Sequence, residues 1–438
     1  MTGSWTNWAG NQTATCTTVH PRGTEQIVAE VERAAAAGQK LKPIGSSHSF
    51  TAIGRPEQLQ LELDRHADLI RLDTATGLVT VQAGMPLHRL NRLLAEAGLG
   101  LTNLGDIDKQ TVAGAMATGT HGTGAGYGAL ATQLHEVELV LADGTVLTCS
   151  ATENPEFFGP ARVNLGALGV VSTVTLQTVP AFALRAEESQ LPLDDALERF
   201  HELAGSIDHF EFYWFPHTGA TLQKWNTRVP IEAGLEPLPR WRAWWDDEFL
   251  SNTVFSGVVA LGRQVPSTVR PLNRISARAL GARTFTDRSD KVFVAQRKVR
   301  FVEMEYGVPR QAAVEVITAI RAAIDASDWA IGFPIEVRVA AADDIPLSMA
   351  SGRDTTYIAV HSPVGVDHQA YFDTVERIMA EHQGRPHWGK MHSLEAETLR
   401  ERYPDFDAFV AVRDQLDPEG RFGNGYLDRV LGTGSKAI

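Results

Sequence analysis

Residues 111–128 read TVAGAMATGTHGTGAGYG, with six glycines in eighteen positions. Glycine permits positive φ and removes the Cβ that would hold a backbone N–H away from a ligand oxygen. Two shorter loops of the same texture lie on either side, GSSHS at 45–49 and LGALG at 165–169, each next to an expected strand. A single loop of this kind is commonly only a turn. Three in one α/β segment point to main-chain amides gathered around a pyrophosphate. The chain has no G-x-x-x-x-G-K-[ST], and GTHGTGAGYG does not fit G-x-G-x-x-G, which disfavours an ATPase or an ordinary Rossmann dehydrogenase.

Working outward, the flanking sequence alternates helix and strand signals. TEQIVAEVERAAAA (24–37) puts Ile27, Val28, Val31, Ala34 and Ala35 on one helical face, with Thr24 as N-cap and Gly38 as stop. Strands are expected at KLKPI (40–44), LQLEL (59–63) and LVTVQA (78–83), then a helix over MPLHRLNRLLAEAG (85–98) with Pro86 near its first turn. HEVELVLADGTVLT (135–148) carries an Asp143-Gly144 turn between alternating runs, a β-hairpin signal. LGALGVVSTVTLQTV (165–179) runs into a strand ending at Pro180, where a domain boundary is placed.

Past that point large aromatics alternate with polar residues in HFEFYWF (209–215) and KVRFVEMEYGV (298–308), and RQAAVEVITAIRAAI (310–324) is amphipathic. A second α+β domain with an antiparallel sheet is expected. The Trp-rich stretch at 240–245 suggests an irregular crossing, either covering its own domain or offering a partner or dimer surface.

Composition narrows the function classes. At 438 residues, two domains are the natural prior. The net charge of −13 opposes a phosphodiester backbone, so no nucleic-acid partner is expected. The N-terminus lacks a basic start and an apolar stretch, and no run approaches the ~20 apolar residues that span a bilayer, so a cytoplasmic protein without a transmembrane segment is expected. Cys16 and Cys149 have no metal-ligand spacing and read as two buried thiols; no metal site is expected.

GSSHS, VAGAMATGTHGTG and LGALGVVSTVTLQ, together with HWGKMHS (387–393) and FGNGYL (422–427), resemble the aldonolactone oxidase branch of the vanillyl-alcohol oxidase (PCMH) type flavoproteins, including the bacterial L-gulono-1,4-lactone dehydrogenases. The resemblance covers nearly the whole chain. It implies an α+β, two-domain fold: an FAD-binding domain over 1–180, a substrate (cap) domain on an antiparallel sheet over 181–393, and a C-terminal return to the FAD domain over 394–438. It implies that Gly45, Ser46, Ser47 and Ser49 bind the pyrophosphate and that His48 is joined covalently to the flavin 8α-methyl. Gly114, Thr118, Gly119, His121 and Gly122 would pack along the ribityl chain and ring, and Gly169 and Val171 would lie near the adenine.

Oxidation of a secondary alcohol by hydride transfer to flavin N5 calls for cationic or basic groups at the reacting oxygen. In GFPIEVRVA (332–340), Glu336 and Arg338 are two apart, so on a strand they share a face. The family places such a pair opposite the flavin, and Lys390 matches a family lysine near the reacting hydroxyl. The expected roles are alkoxide stabilisation by Arg338 and Lys390 and substrate orientation by Glu336. His361 shares a strand face with Tyr357 and Ala359 and could reach the same pocket; His387 is a weaker candidate. In NLGDIDKQ (103–110), Gly105 occupies a position the family uses as an oxygen gate. Asp106 stands where alditol oxidases carry a serine, which favours a cyclic substrate. The resulting expectation is FAD-dependent oxidation of a sugar-1,4-lactone, L-gulono-1,4-lactone above all, at C2, with oxygen or a cytochrome c-like protein as electron acceptor. The rivals are an alditol oxidase acting on acyclic polyols such as xylitol, and a sugar- or nucleotide-binding module without redox chemistry.

Overall fold

The computed structural model describes residues 2–243, 252–279, 281–295 and 298–434. Short runs in the first part of the chain pair into two sheets. The four-stranded sheet has the order Thr2–Thr6, Thr13–Val19, Leu59–Glu62, Leu41–Ile44. Its last three strands run parallel, and parallel neighbours need a crossover, which the helix Thr24–Ala36 provides. The five-stranded sheet is antiparallel, in the order Leu69–Asp73, Leu78–Gln82, Val170–Gln177, Leu134–Val140, Val146–Ser150. The Asp143-Gly144 hairpin closes as expected, with Val140 opposite Val146.

One core joins these sheets. Ile27, Val31, Leu59, Leu61, Val79, Val137, Leu139 and Val174 are buried in it, together with Leu399, Phe406, Phe409, Leu427 and Val430 from the last three helices. The end of the chain thus packs against its beginning.

One local expectation fails for a tertiary reason. Thr24 does not cap its helix: Gly23 occupies that position, and Thr24 Oγ1 lies 2.6 Å from Ser172 Oγ and 3.2 Å from Glu138 Oε1, drawn to the adjacent sheet. Pro86 is itself the N-cap of helix Leu87–Glu96. The glycine-rich stretch also hides a helix, Val112–Ala117, capped by Thr111 Oγ1 accepting from Gly114 N, which buries Val112, Ala115 and Met116.

The second domain is built on eight antiparallel strands in the order Arg283–Arg288, Phe182–Pro192, Ala220–Pro230, His209–Trp214, Ile335–Ala340, Thr355–Pro363, Phe301–Pro309, Arg385–Pro386. Side chains alternate across it. Phe210, Phe212, Trp214, Ile335, Val337, Ile358, Val360 and Met304 pack against helices such as Ala313–Asp325 in a second core. The residues between them in sequence point the other way, toward the glycine loops. Of the Trp-rich stretch, Arg240–Ala243 is a short helix with Trp241 exposed, and 244–250 lie outside the described residues.

Candidate active site

GSSHS begins where strand Leu41–Ile44 ends. Its outer side is fixed: Trp5 Nε1 donates to Ser47 Oγ at 3.0 Å, Trp8 N to Ser47 O at 2.8 Å, and Asn7 Nδ2 to Ser49 O at 2.9 Å. Ser47 adopts a left-handed φ of 56°. The peptide N–H groups of Ser46, Ser47, His48 and Ser49 have no acceptor among the described residues. Consecutive amides around a left-handed residue form an anion-binding concavity. A Cβ on Gly45 would run into Thr111 Oγ1 and lie 3.6 Å from Gly114 Cα, so glycine is needed for the first two loops to touch. The cleft they form is lined by Trp5, Lys42, Ile44–Ser49, Thr111, Gly114, Thr118, Leu165 and Gly166. Loop amides without acceptors among the described residues and small walls fit the diphosphate of an FAD.

Gly114 lines the cleft, with its N–H spent on Thr111 Oγ1. Some carried-over roles do not match this geometry. Gly169 and Val171 do not line the cleft. Gly169, at φ 157°, passes so close to Val140 that a Cβ would sit 2.8 Å from its carbonyl, and Val171 is buried in the first core. The turn presents Leu165 and Gly166 instead. Gly122 is required by the nearby Asn103 side chain and Leu104 carbonyl, and Gly119 turns the chain at φ 78°. Lys42, not anticipated, is buried and donates from Nζ to Gly166 O at 3.1 Å and Phe422 O at 3.0 Å; burial pulls its pKa down to about 7.

The polar face of the eight-stranded sheet carries the chemistry. Register sets Glu211 opposite Arg338, Tyr213 opposite Glu336, Glu336 opposite Ala359, and Ala359 opposite Glu305. Arg338 Nε donates to Glu211 Oε2 at 2.7 Å, and its Nη2 lies 2.5 Å from Glu336 Oε1 and also bonds Asp106, which arrives from the other domain. Tyr213 donates to Glu336 Oε1 at 2.9 Å, and Lys224 Nζ is 3.1 Å from Glu211. Burial lowers Arg338 to about 9, so it remains a cation at neutral pH.

A second cluster lies two strands away. Lys390 Nζ pairs with Glu303 and sits 3.5 Å from Glu305. His121 Nε2 is 2.8 Å from Glu305, its ring stacked on Tyr357 at 3.5 Å. His361 Nε2 is 3.5 Å from Glu303, and its Nδ1 is 3.2 Å from Pro334 O. Burial alone would raise Glu303, but Lys390 and His361 override it and hold it at about 2. Burial lowers Lys390, yet Glu303 and Glu305 outweigh that and raise it above its ordinary value. His387, buried beside this cluster, is lowered by burial to about 3 and accepts from Gly389 N. Two tight groups of ligand-type atoms lie here: Asp106/Glu211/Glu336 closes on the Arg338 guanidinium, and His121/Glu305/His387 has Lys390 3.5 Å from Glu305.

The cofactor cleft and the polar sheet face meet. Phe50 N donates to Gly389 O at 2.7 Å, tying the loop that bears Lys390 to GSSHS, and Lys390 is 5.5 Å from the Phe50 ring. His48 is lowered by burial and by Lys390, which keeps its imidazole neutral, and its ring stacks at 6.0 Å on Trp8. Gly105 abuts His121: a Cβ would lie 2.9 Å from the His121 carbonyl oxygen. Glu336, Arg338, Lys390, Asp106 and His361 are therefore all on this face or against it. Glu211, Tyr213, Lys224, Glu303 and Glu305 belong with them and were not singled out from the sequence. The signal was present: in HFEFYWF and FVEMEYG, polar residues recur every second position in otherwise apolar strands, as in IEVRV.

Comparison with known proteins agrees with this arrangement. Residues 17–150 match the model of an FAD binding domain, and residues 174–430 match that of D-arabinono-1,4-lactone oxidase. The chain is 42% identical to the L-gulono-1,4-lactone dehydrogenase of Mycobacterium tuberculosis over 99% of this chain and 100% of that one. It is 31% identical to the L-gulonolactone oxidase of Bos taurus over 94% of each. A solvent-stable cholesterol oxidase superposes with a TM-score of 0.83 at 20% identity, covering 99% of this chain and 98% of that one, which bears on the fold alone. The chain belongs to the D-arabinono-1,4-lactone oxidase family of FAD-dependent oxidoreductases.

Proposed function

We propose that the protein oxidises L-gulono-1,4-lactone at C2. The observation that carries this reading is the convergence of Arg338 and Lys390 on one sheet face directly beyond the cofactor cleft. Bound FAD supplies the hydride acceptor. Arg338 and Lys390 offset the negative charge that develops on the C2 oxygen, in a site that excludes water and so strengthens the interaction. Glu336, held by Tyr213, accepts from a neighbouring substrate hydroxyl and sets the ring's orientation. Asp106, drawn onto Arg338 from the FAD side, narrows the space and supports a compact lactone over an extended polyol.

His48 is the covalent attachment point in this proposal, supported by its neutral imidazole beside the cleft. Gly105 leaves the reduced cofactor open to oxygen, with a cytochrome c-like protein as the other acceptor. We place the enzyme in the cytoplasm, in keeping with Cys16 and Cys149, which are buried and unpaired. No helix among the described residues is long and apolar enough to cross a membrane.

Anaerobic mixing tests the substrate. L-Gulono-1,4-lactone should bleach the visible flavin band at far lower concentration than xylitol. Equal or better bleaching by xylitol would overturn the lactone reading, and a spectral perturbation without bleaching would leave a binding module.

A further inference from the structure

Between strands Ala220–Pro230 and Arg283–Arg288, at the edge of the cap sheet, the chain forms helices Phe255–Gln264 and Val269–Ala279. The first helix buries one side. The Phe255 ring meets Phe333 edge-on at 5.0 Å, Val259 packs against the cap core, and Gly262 lies so near Val269 that a Cβ would be 2.9 Å from Val269 Cγ2. Val254, Val258, Leu261 and Val265 recur at helical spacing and form a stripe roughly 100° around from that side. Val254, Leu261 and Val265 are 40%, 44% and 43% exposed. The second helix buries Val269, Asn273 and Ala277 and leaves Ile275 63% exposed beside Arg274 and Arg278.

The charge of this hairpin opposes that of the molecule. Residues 252–283 hold five arginines and no acidic residue, in a chain of net charge −13. Arg270 donates to the Ser327 carbonyl and Arg283 pairs with Glu188. Among the described residues, Arg263, Arg274 and Arg278 have no carboxylate at ion-pair distance. Asp325 shares the surroundings of His217 with Arg270 and Arg274 and is the carboxylate acting there beside them. A second copy would set these arginines against one another, and a basic electron carrier would be repelled by them. Aliphatic side chains flanked by arginines on an otherwise acidic protein suit a surface that is anionic at its head groups and apolar just beneath.

We propose that the hairpin 254–278 holds the enzyme on an anionic phospholipid surface, with Val254, Leu261, Val265 and Ile275 entering the boundary between head groups and acyl chains and Arg263, Arg274 and Arg278 meeting the phosphates. This attachment is peripheral and is independent of which substrate the active site takes.

Sedimentation of the FAD-loaded enzyme with vesicles tests it. The enzyme should pellet with phosphatidylcholine mixed with phosphatidylglycerol, should stay in solution with phosphatidylcholine alone, and should be released by salt. Arg274→Glu with Arg278→Glu, and separately Leu261→Ser with Ile275→Ser, should each lower partitioning at least about tenfold while flavin absorbance and turnover of soluble lactone are kept. Arg33→Glu, on the distant helix Thr24–Ala36, should bind as the parent does. Failure of the parent enzyme to bind the mixed vesicles would overturn the proposal, as would binding unaltered in both double variants. A concentration-dependent dimer abolished by the serine pair, without vesicle binding, would assign the face to a second copy instead.

Discussion

Arg338 is the group whose loss the structure evaluates most sharply. The nearest oxygens of Asp106, Glu211 and Glu336 lie within 4.8 Å of one another around it. Replacing it by methionine leaves Glu211 with Lys224 at 3.1 Å, but strips Asp106 and Glu336 of their shared cation. Two like charges at that separation repel by about 3.5 kcal/mol at an effective dielectric constant of ~20. That energy corresponds to about 2.5 pH units, so the Asp106–Glu336 pair in Arg338→Met should take up one proton with an apparent pKa above about 6. Losing a donor to the developing alkoxide should also slow flavin reduction by about 10²–10³-fold. Arg338→Lys keeps the charge but cannot reproduce a fork reaching Glu211 at 2.7 Å and Glu336 at 2.5 Å together, so it should recover part of the rate and lose the new titration. Anaerobic stopped-flow reduction by lactone across the neutral pH range reads both effects. If the flavin-loaded methionine variant reduces within about threefold of the parent at every pH, Arg338 does not touch the reacting oxygen and the role assigned to it is wrong.

Acid precipitation should leave the flavin in the pellet for the parent protein and release it to the supernatant for His48→Ser; flavin in the parent's supernatant would remove the tether and leave the fold unaffected. Gly105→Ala should slow reoxidation by oxygen more than reduction by lactone. Because its Cβ would meet the His121 carbonyl at 2.9 Å, equal slowing of both steps would mean that the loop merely shifts and Gly105 is a packing residue. Burial lowers His209 to about 4 and His387 and His392 to about 3, so each binds a proton in the unfolded chain before the folded one. Their contribution is intact above the unfolded value of ~6.5 and falls by about 1.4 kcal/mol per pH unit for each as pH drops below it. The urea midpoint should therefore fall markedly between pH ~7.5 and ~5.5, and an unchanged midpoint would show that these imidazoles are hydrated.

Much of the site was legible from local pattern. Glu336 and Arg338 share a face because strand side chains alternate, and the same rule read through HFEFYWF and FVEMEYG would have added Glu211, Tyr213, Glu303 and Glu305. The GSSHS loop declared itself by its small residues, and its Ser46–Ser49 amides have no acceptor among the described residues. The cap of helix Thr24–Ala36 misled because a threonine hydroxyl serves an N-terminus or a neighbouring sheet equally well, and only packing selects between them. In the third loop, composition marked the turn but not which of its residues face the cleft, and Leu165 and Gly166 do so while Val171 is in the core.

By itself the sequence determined what each segment can be: where the backbone may bend tightly, which side chains share a strand face, and where charges interrupt apolar runs, since these follow from steric and periodic properties of a few neighbouring residues. Only the tertiary structure decided which segments meet. Asp106 reaches Arg338 across 232 positions, and Lys390 comes to lie between Glu303 and Glu305 beside GSSHS, because the packing of two separate cores brings the glycine loops and the polar sheet face together, and no local pattern encodes that contact.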